Sequence, residues 1–466
     1  MLSLSRPRLT IAGATRALAL LCLSVAMAVA GTLTAFAQNV PVVRDAEIEA
    51  LVRDYARPIF KAAGLSNAGI QIVLVNDPSF NAFVAGRRLF INTGALMQAE
   101  TPNEIIGVIA HECGHIAGGH QQRLRDQLER SKTMAIVAGL LGAGVMVAGA
   151  TSNNKGLAGA GMGIATGGSE VAQRTLLTYQ RGEEITADRS AINYLNATGQ
   201  SGKGMLTTFE RFQSALSLSG AQIDPYRISH PMPQDRIANL KTLIEKSPYY
   251  GKTDPEALQQ RHDMMRVKIA AYMQGQAAAA RLIRKNPDSL AARYGQALSA
   301  YLFGNPRSAL ARTDALIKAQ PKNPYFQELR GDIFMKINKP KDAAAAYGRA
   351  VSLDPAKSGL LMVSEGQALM AVGTPASLAQ AVGDIKKGLG RDRENVAGYR
   401  YLAQAYGELG DIPNAELATA EGHYYAGSYQ QAKIFAARAQ QKFKRGEPGW
   451  LRAQDIINYR TSGKTK

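Results

Sequence analysis

Cysteine is nearly missing from this chain of 466 residues: there are two, Cys22 and Cys113. Cys22 lies in an N-terminal stretch that reads as removable. One thiol then remains, an internal disulfide is excluded, and packing has to stabilise the fold instead. Acidic residues are also scarce, 37 against 55 Lys and Arg, for a net charge of +18. A basic surplus draws anionic neighbours; for an exported chain these are anionic lipid or cell-envelope polymer, with a plainly solvated basic surface as the simpler reading and nucleic acid excluded. Apolar runs of membrane-spanning length are lacking: Met134–Ala150 (MAIVAGLLGAGVMVAGA) has seventeen residues, which is marginal for a bilayer. Histidine is scarce too, six in all, so the position of each one carries information.

At the N-terminus, Arg6, Arg8 and Arg16 precede the apolar stretch Ala17–Ala30, and Ala35-Phe36-Ala37 supplies a small-x-small cleavage site. Residues 1–37 therefore read as a secretory signal peptide cut before Gln38. Beyond it, Asp45–Ala63 has the apolar spacing of a helix. Gly69–Val75 (GIQIVLV) is β-branched and bounded by turn residues, so it reads as a strand. Phe83-Val84 and Leu89–Asn92 read as a strand pair turning around Gly86. Thr101-Pro102, with Glu104 three residues after the cap, opens a further helix. Met134–Ala150 and Gly156–Gly168, joined by Ser152–Lys155, are rich in small residues. They read as core helices packed closely through glycine, the alternative being a hairpin that covers a cleft or touches a membrane surface.

From about residue 270 the texture becomes Ala-rich and repetitive. Pro287, Pro321 and Pro355 are each 34 residues apart, as are Gly304 and Asn338. That is the period of the tetratricopeptide repeat, a helix-turn-helix unit that buries its apolar face only against its neighbours. A longer unit, Met362–Leu389, follows, with its insertion expected at the Gly373-Thr374-Pro375 turn, and the pattern continues to near Phe443. The domain reading is thus 1–37 signal peptide, 38–268 a first domain and 269–460 the repeats.

The chemistry resides in HECGH, His111–His115, inside the helical run NEIIGVIAHECGHIAGGH. Two imidazoles four residues apart project from one helix face and can share a metal ion. Glu112 beside the first can act as a general base on water at that metal. A third ligand must come from elsewhere. The metzincin frame HExxHxxGxxH is matched at Gly118, but His120 comes one residue early and position 121 is Gln; a helix continuing past Gly119 would turn the His120 ring away. The better candidate is Glu184 in RGEEITAD, which shares a helix face with Asp188 at i, i+4. Glu184 can bind the metal while Asp188 accepts a hydrogen bond from a ligand histidine. Glu183 lacks that spacing. Cys113, about 200° around the helix from His111, should point into the core as a small buried hydrophobe.

HECGH followed by E-x-x-A-D (Glu184, Ala187, Asp188) resembles the gluzincins of the CAAX prenyl protease and HtpX superfamily, and the leader and C-terminal repeats are similar to its periplasmic, repeat-bearing members in Gram-negative bacteria. The resemblance implies an α+β fold, mostly α: a gluzincin-type metalloprotease domain with a small sheet, followed by an α-solenoid. It implies one Zn2+ per chain on His111, His115 and Glu184, with Glu112 as general base. His230, in the loop SHPMPQDRI, would approach the metal as a resting fourth ligand or donate to the transition-state oxyanion; a packed loop histidine is the plainer alternative. Arg236 would hold that loop by pairing with Asp188 or a nearby carboxylate. Asn81-Ala82-Phe83 resembles the strand beside the cleft, where substrate could add as a further strand. The implied function is a periplasmic zinc metalloendopeptidase in quality control and assembly of outer-membrane proteins. Its substrates would be misfolded or stalled envelope proteins, and its repeats would dock on the barrel-assembly machinery, with peripheral membrane contact. The alternative is a chaperone or scaffold with a mostly latent peptidase.

Overall fold

The computed structural model describes residues 41–130, 178–218, 230 and 234–460, with Thr133, Ile136 and Val137 besides. The leader expected at 1–37 and, apart from Ile136 and Val137, the apolar segment 134–168 lie outside the described residues. Among the described residues no helix is long and apolar enough to cross a membrane.

Helix α1 (Ala46–Ala62) starts where the Asp45 carboxylate accepts from the Ile48 amide at 2.9 Å, satisfying an N-terminal donor that has no partner within the helix. Its inward face is Ile48, Leu51, Val52, Tyr55 and Ile59, the spacing of a helix laid on a core. The strands β1 (Val42–Val43), β2 (Gln71–Val75), β3 (Ala82–Ala85) and β4 (Arg88–Asn92) form one sheet in the order β1-β2-β4-β3. β2 runs parallel to β4, and β3 runs antiparallel to β4 with Phe83 opposite Phe90. The turn between β3 and β4 uses Gly86 at φ +61, a conformation that costs glycine little. Among the described residues β3 is left on an edge.

After the short α2 (Thr93–Gln98) comes α3 (Pro102–Gly118), the metal-motif helix. Glu104 reaches back to accept from the Glu100 and Thr101 amides at 2.9 and 3.2 Å, as the sequence pattern predicts. Helix α3 is buried through almost its whole length, from Pro102 to His115, because the sheet, α1, α5 (178–197) and α6 (Lys203–Leu218) surround it. Ile105, Ile109 and Cys113 enter the core with Leu89, Ile91 and Phe209. Cys113 is fully buried, as expected, and burial pushes its thiol well above the ordinary range. A further helix, α4, described over 120–130, follows α3, and α7 (Gln234–Glu245) follows α6.

Next come α8 (Glu256–Gln274) and α9 (Gln276–Ile283), then paired helices: α10 (Leu290–Phe303) with α11 (Pro306–Ala319), α12 (Pro324–Lys336) with α13 (Pro340–Leu353), α14 (Gly359–Val372) with α15 (Pro375–Arg391), α16 (Val396–Glu408) with α17 (Ile412–Tyr425), and α18 (Tyr429–Gln440) with α19 (Pro448–Asn458). Leu290 and Pro324, which open α10 and α12, are 34 residues apart, the period read from the prolines. The third unit corrects one expectation. Its turn, residues 373–374, is no longer than the first unit's, residues 304–305; the extra length sits in α15, which has 17 residues against 14 in α11 and α13. Adding nearly a turn to a helix keeps its apolar stripe in register.

A buried polar network ties α1 to the helical array. Lys268 on α8 places Nζ 2.8 Å from Asp45, 3.1 Å from Glu47 and 4.0 Å from Glu328 of α12, and the Tyr294 hydroxyl of α10 donates to Glu47 at 2.8 Å. Nearer the surface, Arg44 pairs with Asp392 at 2.5 Å and Arg88 with Glu394 at 2.7 Å.

Candidate metal centre

Three segments meet around His111. Helix α3 supplies His111, Glu112 and His115; α5 supplies Glu184 and Asp188; residue 230 and Arg236 at the start of α7 close the far side. All seven side chains are buried. The i, i+4 spacing on α3 brings the two imidazoles together edge to face, with their Nε2 atoms 3.0 Å apart. Glu184 spans them, Oε2 at 3.3 Å from His111 Nε2 and Oε1 at 3.3 Å from His115 Nε2. His230 Nδ1 is 3.3 Å from His111 Nε2 and 3.1 Å from Glu184 Oε1. These four residues offer ligand atoms all within 4.8 Å of one another. A tetrahedral zinc ion with bonds of ~2.0–2.1 Å separates its ligand atoms by about 3.3 Å, so the donor set fits such an ion in both chemistry and spacing.

The next layer fixes this one. Asp188 Oδ1 is 3.0 Å from His111 Nδ1; an ionised carboxylate only accepts, so Nδ1 carries a hydrogen, and Nε2 is the nitrogen that would be left to a metal ion. Arg236 clamps both carboxylates: Nε and Nη2 donate to Asp188 at 2.6 and 2.9 Å, and Nη1 lies 2.9 Å from Glu184 Oε2. Its guanidinium also sits 5.1 Å from the centre of the Phe209 ring. Burial alone would raise the pKa values of Glu184 and Asp188. The bonds from His111, His115 and His230 to Glu184, and from Arg236 and His111 to Asp188, bring both below the usual carboxylate range. Burial disfavours charge on His111, yet hydrogen bonds to Asp188 and Glu184 lift it to about 9; burial dominates at His115 and lowers it to about 4. Glu112 is fully buried, and neither carboxylate oxygen has a hydrogen-bond partner among the described residues. Its Oε1 is 3.4 Å from His230 Nε2, and burial raises its pKa.

His120 corrects the sequence reading. Helix α3 does not continue past Gly119, which takes φ +66 and ends it. The chain turns back, and the His120 ring packs over Gly118, where a Cβ would lie 2.2 Å from Nε2. His120 Nδ1 is 2.9 Å from His115 Nδ1, and its Nε2 is 2.8 Å from Glu183 Oε2. Glu183 in turn takes Arg123 Nη2 at 2.6 Å and Nε at 3.3 Å, and Arg123 Nε also donates to the Tyr179 hydroxyl at 3.1 Å. The signal for this was present: a Gly-Gly pair is a helix stop. Gln121, where a metzincin would place its third histidine, instead reaches the edge strand, accepting from the Gly86 amide at 3.0 Å and donating to the Val84 carbonyl.

Residues 43–244 match Peptidase family M48, and residues 294–358 match the tetratricopeptide repeat. The chain is 22% identical over 418 residues to a protein of Escherichia coli (strain K12) named beta-barrel assembly-enhancing protease, covering 88% of this chain and 82% of that one. A Vibrio cholerae protein named putative beta-barrel assembly-enhancing protease is 25% identical over 308 residues, 63% of this chain and 60% of its own. Metalloprotease YcaL of Escherichia coli (strain K12) is 29% identical over 150 residues, 32% of this chain and 52% of its own.

Proposed function

We propose that this chain, a metallopeptidase whose M48 domain precedes tetratricopeptide repeats, is a zinc endopeptidase of the bacterial periplasm acting in quality control and assembly of outer-membrane proteins. Residues 38–268 are its protease domain and 269–460 its repeat domain, behind a signal peptide at 1–37. M48 peptidases depend on zinc. The observation that carries the reading is the convergence of His111 Nε2, His115 Nε2 and the Glu184 carboxylate at 3.0–3.3 Å beside Glu112, whose oxygens take no hydrogen bond among the described residues.

His111, His115 and Glu184 hold the zinc, with Asp188 and Arg236 fixing the ligands from behind. A zinc ion held there would polarise the scissile carbonyl and bring the pKa of water toward neutrality. Glu112 takes the proton from the attacking water on a carboxylate whose pKa burial has already raised, and passes it to the leaving amine. His230 stands beside both Glu184 and Glu112, positioned as a fourth ligand at rest or as a donor to the oxyanion. The names of the long relatives support β-barrel assembly as the setting. The repeats, offering an extended surface to a partner, would dock on that machinery, and misfolded or stalled envelope proteins would be the substrates. Glu112→Gln is expected to keep zinc stoichiometry while peptide hydrolysis falls by about 10²–10⁴-fold; full peptidase activity in that variant would overturn the assignment.

One observation favours a second reading, a scaffold with a mostly latent peptidase: His230 packs against the base and a ligand at once. Rescue of an envelope assembly defect by Glu112→Gln as well as by the wild type would select it.

A further inference from the structure

The two imidazoles of the centre are oriented by different means. His111 rests directly on Asp188, whereas His115 Nδ1 meets another imidazole, His120, at 2.9 Å. Two ring nitrogens at that distance share one hydrogen, and its owner decides whether His115 can be a ligand. Glu183 Oε2 is 2.8 Å from His120 Nε2, an ion-pair contact without hydrogen-bond alignment, and its negative charge, held by Arg123 at 2.6 Å, disfavours a lone pair on that nitrogen. The His120 hydrogen therefore sits on Nε2, and the Nδ1 of the neutral ring is bare. It can accept from His115 Nδ1–H, and His115 Nε2, beside Glu184 and His111, is then the nitrogen that would be left to a metal ion. The opposite tautomer of His120 would move the hydrogen of His115 onto Nε2 and remove that nitrogen from the ligand set.

We infer that His120 and Glu183, braced by Arg123, are positioning residues that hold His115 in its metal-binding tautomer, as Asp188 holds His111. The inference rests on His115 being a zinc ligand. It also gives a purpose to the backbone here: Gly119 ends α3 in a left-handed turn and Gly118 leaves the space the His120 ring fills.

The test is zinc affinity of the purified full chain by competition with a chelator, together with the visible spectrum of the cobalt-substituted protein. His120→Leu is expected to weaken zinc by about 10–100-fold and alter the cobalt bands. His120→Asn, whose side-chain oxygen can accept in place of Nδ1, is expected to recover most of that loss. Zinc affinity of His120→Leu within about twofold of wild type overturns the inference, and so does equal weakening by Leu and Asn, since lost packing alone would produce it. Should His120→Leu not fold, Glu183→Leu carries the same expectation of weakened zinc, and wild-type affinity there overturns it. His115→Ala is measured in parallel: if it too retains zinc, the reading of the centre has failed rather than the role of His120.

Discussion

Gly114 is the residue on which the centre's geometry turns. A Cβ there would lie 2.9 Å from both Cα and the carbonyl oxygen of Ala187, so α3 and α5 touch at backbone distance and Glu184 comes within 3.3 Å of both histidines. Ala187 is fully buried at the contact. Gly114→Ala should therefore part the two helices, weaken zinc measurably in the chelator competition and cost about 1–3 kcal/mol in urea unfolding; unchanged affinity and stability would show that the contact yields. At this scale much was legible. HECGH places two ligands and a base on one helix, so spacing alone aligned them, and Glu184 with Asp188 obeyed the same i, i+4 rule. His230 and Arg236 came from resemblance, because no local period links His230 to His111, 119 residues earlier in the chain. His120 and Glu183 escaped because their role depends on where α3 stops.

Among the elements, the strands and their turn were readable from β-branched runs and Gly86, and the helical pairs from their period. The lengthened α15 was misplaced into a turn because proline and glycine mark boundaries while saying nothing about which side of the boundary absorbs extra residues. Helix α12 carries the clearest electrostatic tension. Burial lifts Asp332 from its ordinary 3.8 to about 6, against the Tyr347 hydroxyl, 2.5 Å away, and Lys268, which pull it down. A carboxyl whose pKa is higher folded than unfolded binds its proton more tightly in the fold. Its contribution is therefore full below about pH 4 and fades as pH rises through 6. Asp332→Asn, which keeps an acceptor for Tyr347, should be more stable than the wild type at about pH 8 by on the order of 1–2 kcal/mol. It should lose that advantage near pH 4. Urea unfolding at the two pH values checks the sign, and a variant less stable at the higher pH would contradict it.

For the whole molecule, the question is what joins α1 to the helices beyond it. The Arg44–Asp392 and Arg88–Glu394 pairs are partly exposed and worth at most about 1 kcal/mol each. Lys268 is different: it is buried among Asp45, Glu47 and Glu328, and removing it leaves carboxylates crowded without a cation. Lys268→Met should lower the unfolding free energy by about 3–5 kcal/mol, read in urea at neutral pH. A loss below about 1 kcal/mol would assign the join to apolar packing. None of this network was visible in sequence, since its members come from positions 45 to 328 with no motif between them.

Gln121 has a consequence for company rather than chemistry. Asn81 turns its carbonyl inward to β4, accepting from Asn92, so the backbone groups of Val84 and Gly86 point outward, and the Gln121 amide already satisfies two of them. That amide is a counterfeit peptide group. It blunts the outer rim of the sheet, where stray chains would otherwise zip on, and any guest polypeptide aligning there is confined to the few outward backbone groups between Ala82 and Val84.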